Sequence, residues 1–263
     1  MKIGMLIISN RPKDLEQFLE TIHLLGGLNK HIKICAILQP PFTSREKFLS
    51  LVDSYELVEN KGEPVPFVWY RKRAMLLAKD CDWLWSLDDD HRFADSSGEL
   101  FNKTCEEYYS DVFDWLEKSN TVGALSCRGY VGGYQWGYDF KINPKNGLVA
   151  TDKGGIFIRN IGVDKIIELE EENLVGALFE SLAIYNVLSY NYKLGRRYNS
   201  PVKNRPPGKK KHIGGSGVSS YSDGVVGNNI QKRIREKFND LEWTHSSRKY
   251  PKQIAEIIGV HQC

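Results

Sequence analysis

The sequence predicts an α/β protein built on a mainly parallel sheet with helices on its faces. Three observations predict it. Short apolar runs of strand length alternate with segments of helical periodicity, the connections between them are short, and polar residues gather where the apolar runs end. A chain of 263 residues, 41% hydrophobic and 26% charged, is long enough to bury the core such a sheet needs.

The elements follow in order. Lys2 to Ile8 is an apolar run ending at the turn signal Ser9-Asn10-Arg11-Pro12, and it reads as a buried strand rather than a signal peptide. Asp14 to Leu25 carries Leu15, Phe18, Leu19, Ile22 and Leu25 at helical spacing. Ile32 to Leu38 is a second strand, closed by Pro40-Pro41. Arg45 to Val52 is expected as a helix after Ser44. Tyr55 to Glu59 is a third strand, Tyr70 to Lys79 a helix, and Trp83 to Leu87 a fourth strand. Beyond it, Cys105 to Lys118 reads as a helix, Val122 to Cys127 and Gly155 to Arg159 as strands, and Asn173 to Ser189 as a helix. From about Gly195 to Asn228 the chain is rich in Gly, Pro, Ser and Lys and is expected as a long loop: a lid, a binding loop or a disordered segment. Asn229 to Phe238 and Pro251 to Ile258 are expected to close the chain as helices. One domain over residues 1–263 follows, in which residues 1–95, 96–195 and a basic lid and tail over 196–263 are distinguished.

Composition narrows the classes. No apolar run reaches the roughly 20 residues needed to span a bilayer. Five scattered cysteines without a Cys-x-x-Cys pair indicate neither a disulfide framework nor a zinc site, so reduced thiols in a cytoplasmic protein are expected. The net charge of +3 is unevenly spread: residues 161–263 hold 16 Lys and Arg against 11 Asp and Glu. Between Asn191 and Lys211 there are eight basic residues and no acid, a solvated face or a surface for phosphate.

In parallel sheets ligands bind beyond the carboxyl ends of the strands. Those ends carry Ser9-Asn10-Arg11, Gln39 and Asp88-Asp89-Asp90. Three adjacent carboxylates after a buried strand repel one another, and a hard divalent cation, magnesium or manganese, removes that penalty. In extended backbone Asp88 and Asp90 face the same way. The competing reading is a solvated acidic turn.

Arg73-Ala74 and Ala78, then an apolar strand, then Leu87-Asp88-Asp89-Asp90 resemble the donor-site region of inverting glycosyltransferases of the GT-A type, above all the large family two. The resemblance implies a GT-A-like, Rossmann-type sheet and a metal on an Asp-x-Asp motif. Asp90 would be the direct ligand and Asp88 would lie near the ribose or metal. Arg73 and the Asn10-Arg11 turn would lie near the nucleotide, with a uridine diphosphate sugar as the expected donor. Gly154-Gly155-Ile156-Phe157-Ile158-Arg159 resembles the family's acceptor-side strand. Phe179-Glu180-Ser181 resembles its Glu-Asp helix, which implies Glu180 as catalytic base although this chain has Glu-Ser. Asp139 and Glu172 are the alternatives. His212 matches the late histidine that completes the metal sphere in many such enzymes, and Lys211 beside it would offset diphosphate charge.

The acceptor is less specified. Tyr190, Tyr192 and Tyr198 among the basic residues suit a nucleic-acid backbone with stacked bases. The chain in this respect resembles the DNA-modifying glycosyltransferases of bacteriophages, which implies a hydroxymethylated pyrimidine as acceptor and Tyr130 to Tyr138 as lining for an extruded base. Alternatively the lysines meet only the donor diphosphate, and the acceptor is a glycan or small molecule. A magnesium-dependent nucleotidyltransferase and a non-catalytic nucleic-acid-binding protein are the readings from other classes. The first lacks a glycine-rich loop after strand one, and the second leaves the three aspartates unexplained.

Overall fold

The structure, a computed structural model, describes residues 1–59, 67–93, 105–131, 134–136, 140–142, 149–151, 155–161, 178–204 and 258–259. Four strands and their connections build the first half: β1 (Ile3–Ser9), α1 (Pro12–Thr21), a 3₁₀ segment (Ile22–His31), β2 (Ile32–Leu38), β3 (Ser54–Leu57), α2 (Phe67–Leu77) and β4 (Trp83–Ser86). A short strand β5 (His91–Phe93) precedes α3 (Cys105–Lys118), β6 (Val122–Val131), β7 (Tyr134–Trp136), β8 (Phe140–Ile142), β9 (Val149–Thr151) and β10 (Ile156–Arg159). Then follow α4 (Leu178–Ser189), β11 (Lys193–Ser200), β12 (Val202–Asn204) and β13 (Ile258–Gly259).

The main sheet runs β13-β11-β6-β10-β4-β1-β2-β3, with β7 added antiparallel to β6. All its pairings along that path are parallel except the two made by β10. The chain leaves β1 toward β2 and β3 on one side and returns to β4 on the other. The gap between the carboxyl ends of β1 and β4 is therefore the switch point at which such sheets bind ligands.

Strand pleating assigns the faces. Ile3, Met5 and Ile7 of β1 and Trp83 and Trp85 of β4 pack with Leu15 and Phe18 of α1 and Tyr109 and Phe113 of α3. Leu6, Ile8 and Leu84 point the other way, onto Ala74 of α2, Ala78 just past its end and Ile184 and Leu188 of α4. Trp85 stacks on Phe157 with ring centroids 4.6 Å apart, tying β4 to the antiparallel strand beside it. Gly4 is where α2 crosses β1 most closely: a Cβ there would stand 2.5 Å from that of Ala78.

Three expectations are corrected. Lys47–Leu51 is a 3₁₀ turn instead of the helix expected over Arg45 to Val52. The segment is too short to propagate α-helical bonds, and the Asp53 carboxylate after it accepts from the Ile34 amide, pulling the chain into β3. Regular structure continues past Gly195: β11 reaches Ser200 inside the sheet, and β12 pairs with β5. Arg197 is buried there because it donates to Asp111 at 3.1 Å and lies over the Tyr108 ring, so a basic strand passes for a loop in sequence. Ile258 lies in β13, which pairs with β11, not in a closing helix. The helix expected over Asn229 to Phe238 lies outside the described residues. No helix among the described residues is long and apolar enough to cross a membrane.

Candidate functional site

The acidic turn sits at the switch point. The Leu87 amide donates to the Leu6 carbonyl at 3.2 Å, so β4 stays paired to β1 up to Leu87. There the backbone turns, and the His91 amide donates to the Asp88 carbonyl at 3.2 Å. The extended backbone expected through Asp90 is thus replaced by a closed turn. Asp88, Asp90 and His91 still bring one ligand atom each to within 4.8 Å of one another.

The turn sends Asp88 and Asp89 to opposite sides. Asp88 points toward α2, where Arg71 Nη2 donates to its Oδ1 at 3.2 Å. Arg71 is buried, and its Nη1 also donates to the Leu6 carbonyl at 3.2 Å. Asp89 points the other way and is only 2% exposed. Its Oδ2 accepts from Ser9 Oγ at 2.5 Å and from Arg11 Nε at 3.0 Å, while Arg11 Nη2 pairs with Oδ1. Such a two-pronged, charge-assisted pair is what a buried carboxylate requires. Asp90 has Arg11 Nη1 at 3.8 Å, and its side chain is 32% exposed, close to the 29% of Asp88.

Each of the three aspartates thus has a buried or half-buried arginine of the chain itself beside it, and Asp88 and Asp90 reach solvent whereas Asp89 does not. Two carboxylate oxygens beside an imidazole form a donor set that fits manganese and, through the oxygens, magnesium. His91 is 1% exposed, and its Nδ1 lies 3.0 Å from the Asp88 amide nitrogen. Its tautomer decides whether that atom accepts or donates. Closing the turn is therefore one of its roles.

The other site residues divide. Arg11 stands at the N-cap position of α1, its fork on Asp89. Asn10 lies at the same end of β1. Arg73, expected near the nucleotide, is on the β3 side of α2, where it donates to Glu56 at 2.8 Å and stacks on Trp69 at 4.6 Å. Arg71, two residues earlier on that helix, does reach Asp88. Glu180 is in the first described turn of α4. That helix ends at Ser189 and leads to Lys193, which pairs with Val122 at the opposite edge of the sheet. The start of α4 is therefore the end nearer the acidic turn. Lys211, His212, Asp139 and Glu172 lie outside the described residues. Gly155, at φ 74°, takes a left-handed backbone that suits glycine and donates to the Ser86 carbonyl at 2.7 Å, beginning β10 beside the site.

Two of the residues read as base-stacking lie away from this edge. Tyr190 is exposed at the end of α4, and Tyr192 lies under Arg159 at 4.8 Å, both at the edge away from the aspartates. Tyr134 to Trp136 pair with the end of β6.

Arg71 escaped sequence reasoning, and so did the separate roles of Ser9, Asp89 and His91. Arg71 was legible in principle, because it shares a helical face with the apolar Ala74, Met75 and Ala78, and Arg73 does not.

No protein-family model matches the chain, and no curated protein matches it by sequence. Solved structures do match in shape. The piece 1–349 of TarS from S. aureus superposes with a TM-score of 0.51 at 10% identity, covering 76% of this chain and 60% of that one. The fold is of the GT-A type. The same piece in complex with UDP-GlcNAc gives 0.52 at 12% identity, covering 91% and 72%, and in complex with UDP 0.50 at 11%, covering 76% and 58%. The chain spans about 60% of the length of the first of these TarS structures.

Proposed function

We propose that this chain is a metal-dependent glycosyltransferase that moves a sugar from a nucleotide-diphosphate sugar to a hydroxyl acceptor. The observation that carries the reading is the acidic turn at the β1/β4 switch point, where Asp89 is satisfied internally and Asp88 and Asp90 are left presented together. The TarS fold carries UDP or UDP-GlcNAc in two of its structures, which supports a uridine diphosphate sugar as donor.

A divalent cation held by Asp88 and Asp90 would supply the positive charge that a departing diphosphate needs. The chain's own residues do the rest. Arg71 and Arg11 fix the carboxylates, and the start of β10 at Gly155 lines the same edge. Glu180 is proposed as the base that removes the acceptor hydroxyl proton as that oxygen attacks the anomeric carbon, giving inversion. Lys211 is proposed to meet the diphosphate and His212 to complete the metal sphere. Support for that comes from β12, whose Asn204 pairs with His91 of the acidic turn and lies a few residues before Lys211 and His212 in the sequence.

This arrangement favours a diphosphate, more than a DNA backbone, as the target of the basic residues. Arg197 is engaged by Asp111, and Tyr190 and Tyr192 lie at the far edge. A glycan or small-molecule hydroxyl is the acceptor we favour, with a hydroxymethylated pyrimidine in DNA as the second arm of the test. Calorimetric titration with UDP-sugars, with and without manganese, tests the donor site. Saturable binding that needs the metal is expected. Equal binding in chelator refutes metal dependence, and no binding of any nucleotide sugar refutes the donor class.

A further inference from the structure

We infer that Arg11 is a positioning residue for the cation site: by clamping Asp89 it holds the turn in the shape that presents Asp88 and Asp90 to one ion. The inference rests on the donor-site reading above and deepens it.

Asp89 stands between the two presented aspartates yet is buried. Three donors reach it from the end of β1: Ser9 Oγ, Arg11 Nε and Arg11 Nη2. Ser9 and Arg11 form one receptor, because the Arg11 amide donates to Ser9 Oγ at 3.0 Å. On the outer side Arg92 Nη1 donates to the Asp89 carbonyl at 3.0 Å and Nη2 to Gln17 at 2.9 Å, so backbone and side chain of Asp89 are both held. Arg11 Nη1 also reaches Asp14 at 3.3 Å, which fixes the guanidinium against the first turn of α1.

A carboxylate satisfied in this way does not compete for the ion. Without the fork, Asp89 becomes a buried unpaired charge, and swinging out beside Asp88 and Asp90 is how it regains water. That movement unmakes the turn. Lysine does not replace the fork, since one ammonium on a flexible stem cannot donate two parallel bonds to one carboxylate.

Charge alone predicts the opposite sign. Arg11 Nη1 is 3.8 Å from Asp90, so as a mere positive charge it repels a cation, and removing it should tighten metal binding. Positioning predicts weaker binding on removal, and it predicts that lysine fails to restore it.

The experiment is a manganese titration followed by electron paramagnetic resonance on the full chain, with thermal melting alongside, for wild type, Arg11→Lys, Arg11→Met, Ser9→Ala and Asp90→Asn. Both Arg11 variants should bind manganese about 10- to 100-fold more weakly, the usual effect of losing a partner that orients a metal ligand. Ser9→Ala should act in the same direction by less. Arg11→Lys binding like wild type, or Arg11→Met binding more tightly, while Asp90→Asn still weakens the ion, overturns the positioning role and leaves the donor site standing. If the Arg11 variants do not fold, unchanged affinity in Ser9→Ala overturns it. Wild type that binds no manganese, or binds it as well after Asp90→Asn, overturns both readings.

Discussion

Replacing Arg71 by methionine removes the chain's own cation from Asp88 while keeping most of the side-chain volume. At the 3.2 Å separation seen here, two unit charges attract by about 5 kcal/mol at an effective dielectric near 20. Much of that is offset by desolvation of a guanidinium that is 2% exposed. Asp88 is 29% exposed, so water replaces part of what it loses. The Leu6 carbonyl keeps its bond from the Leu87 amide. The net loss is then close to that of one charged hydrogen bond, about 2 kcal/mol. For a protein of this size that lowers Tm by roughly 4–8 °C. Manganese should narrow the gap. In wild type the ion shares Asp88 with Arg71, whereas in the variant Asp88 lacks its own cation and holds the ion more tightly, so the metal-induced rise in Tm should be larger. Differential scanning fluorimetry of both proteins, in chelator and in manganese, measures the four values. Equal Tm in chelator, or a smaller manganese shift in the variant, would refute the reasoning.

Further outcomes follow from other parts of the structure. Gly4→Ala forces a methyl to 2.5 Å from the Ala78 Cβ and should cost about 1–3 kcal/mol in urea unfolding, with Ala78→Gly restoring most of it; a wild-type midpoint without that second change contradicts the packing. Hydrogen bonds from Lys2 and Lys33 hold the Asp80 carboxyl well below its ordinary range. Because its folded pKa is depressed, its contribution is present above the unfolded value near 4 and is lost as pH falls through the folded value. The gap in stability between wild type and Asp80→Asn should therefore close in strong acid, and also in high salt because the site is on the surface; a gap independent of both shows that the ion pairs are not its source. Burial pushes the thiols of Cys35 and Cys127 up to about 12 and that of Cys81 to about 11, so maleimide at pH 7.5 should leave all three unlabelled until denaturant is added, as peptide mass mapping would show. Glu180→Gln should lower kcat by about 100-fold or more with little change in nucleotide-sugar affinity if it is the base, and near-normal turnover removes it from that role.

The first half of the fold was legible because its strands are buried on both faces and read as continuous apolar runs: β1, β2 and β4 show this directly, and α1 and α3 carry clear helical stripes. The second half was harder for physical reasons. β11 contains Arg196 and Arg197 and is held by pairing to β6 and by Asp111, not by an apolar pattern. β13 is two residues long, and its place depends on a partner far away in sequence. At the site, the three aspartates announced themselves, but their division of labour did not. That Asp89 faces α1 and Asp88 faces α2 depends on the register of β4 against β1 and on which arginine each helix turns inward. A list of charges holds neither fact.

The central claim is that Asp88 and Asp90 hold the ion through which a nucleotide-sugar donor reacts. Release of free nucleoside diphosphate from UDP-sugars in manganese, followed over time for wild type and Asp90→Asn with a glycan, a small-molecule alcohol and hydroxymethylated DNA as acceptors, tests it most directly. The account predicts release by wild type that stops in chelator and falls about 100-fold or more in Asp90→Asn. Release that persists at the wild-type rate in Asp90→Asn, or no release from any donor by a protein that still binds manganese, would contradict it.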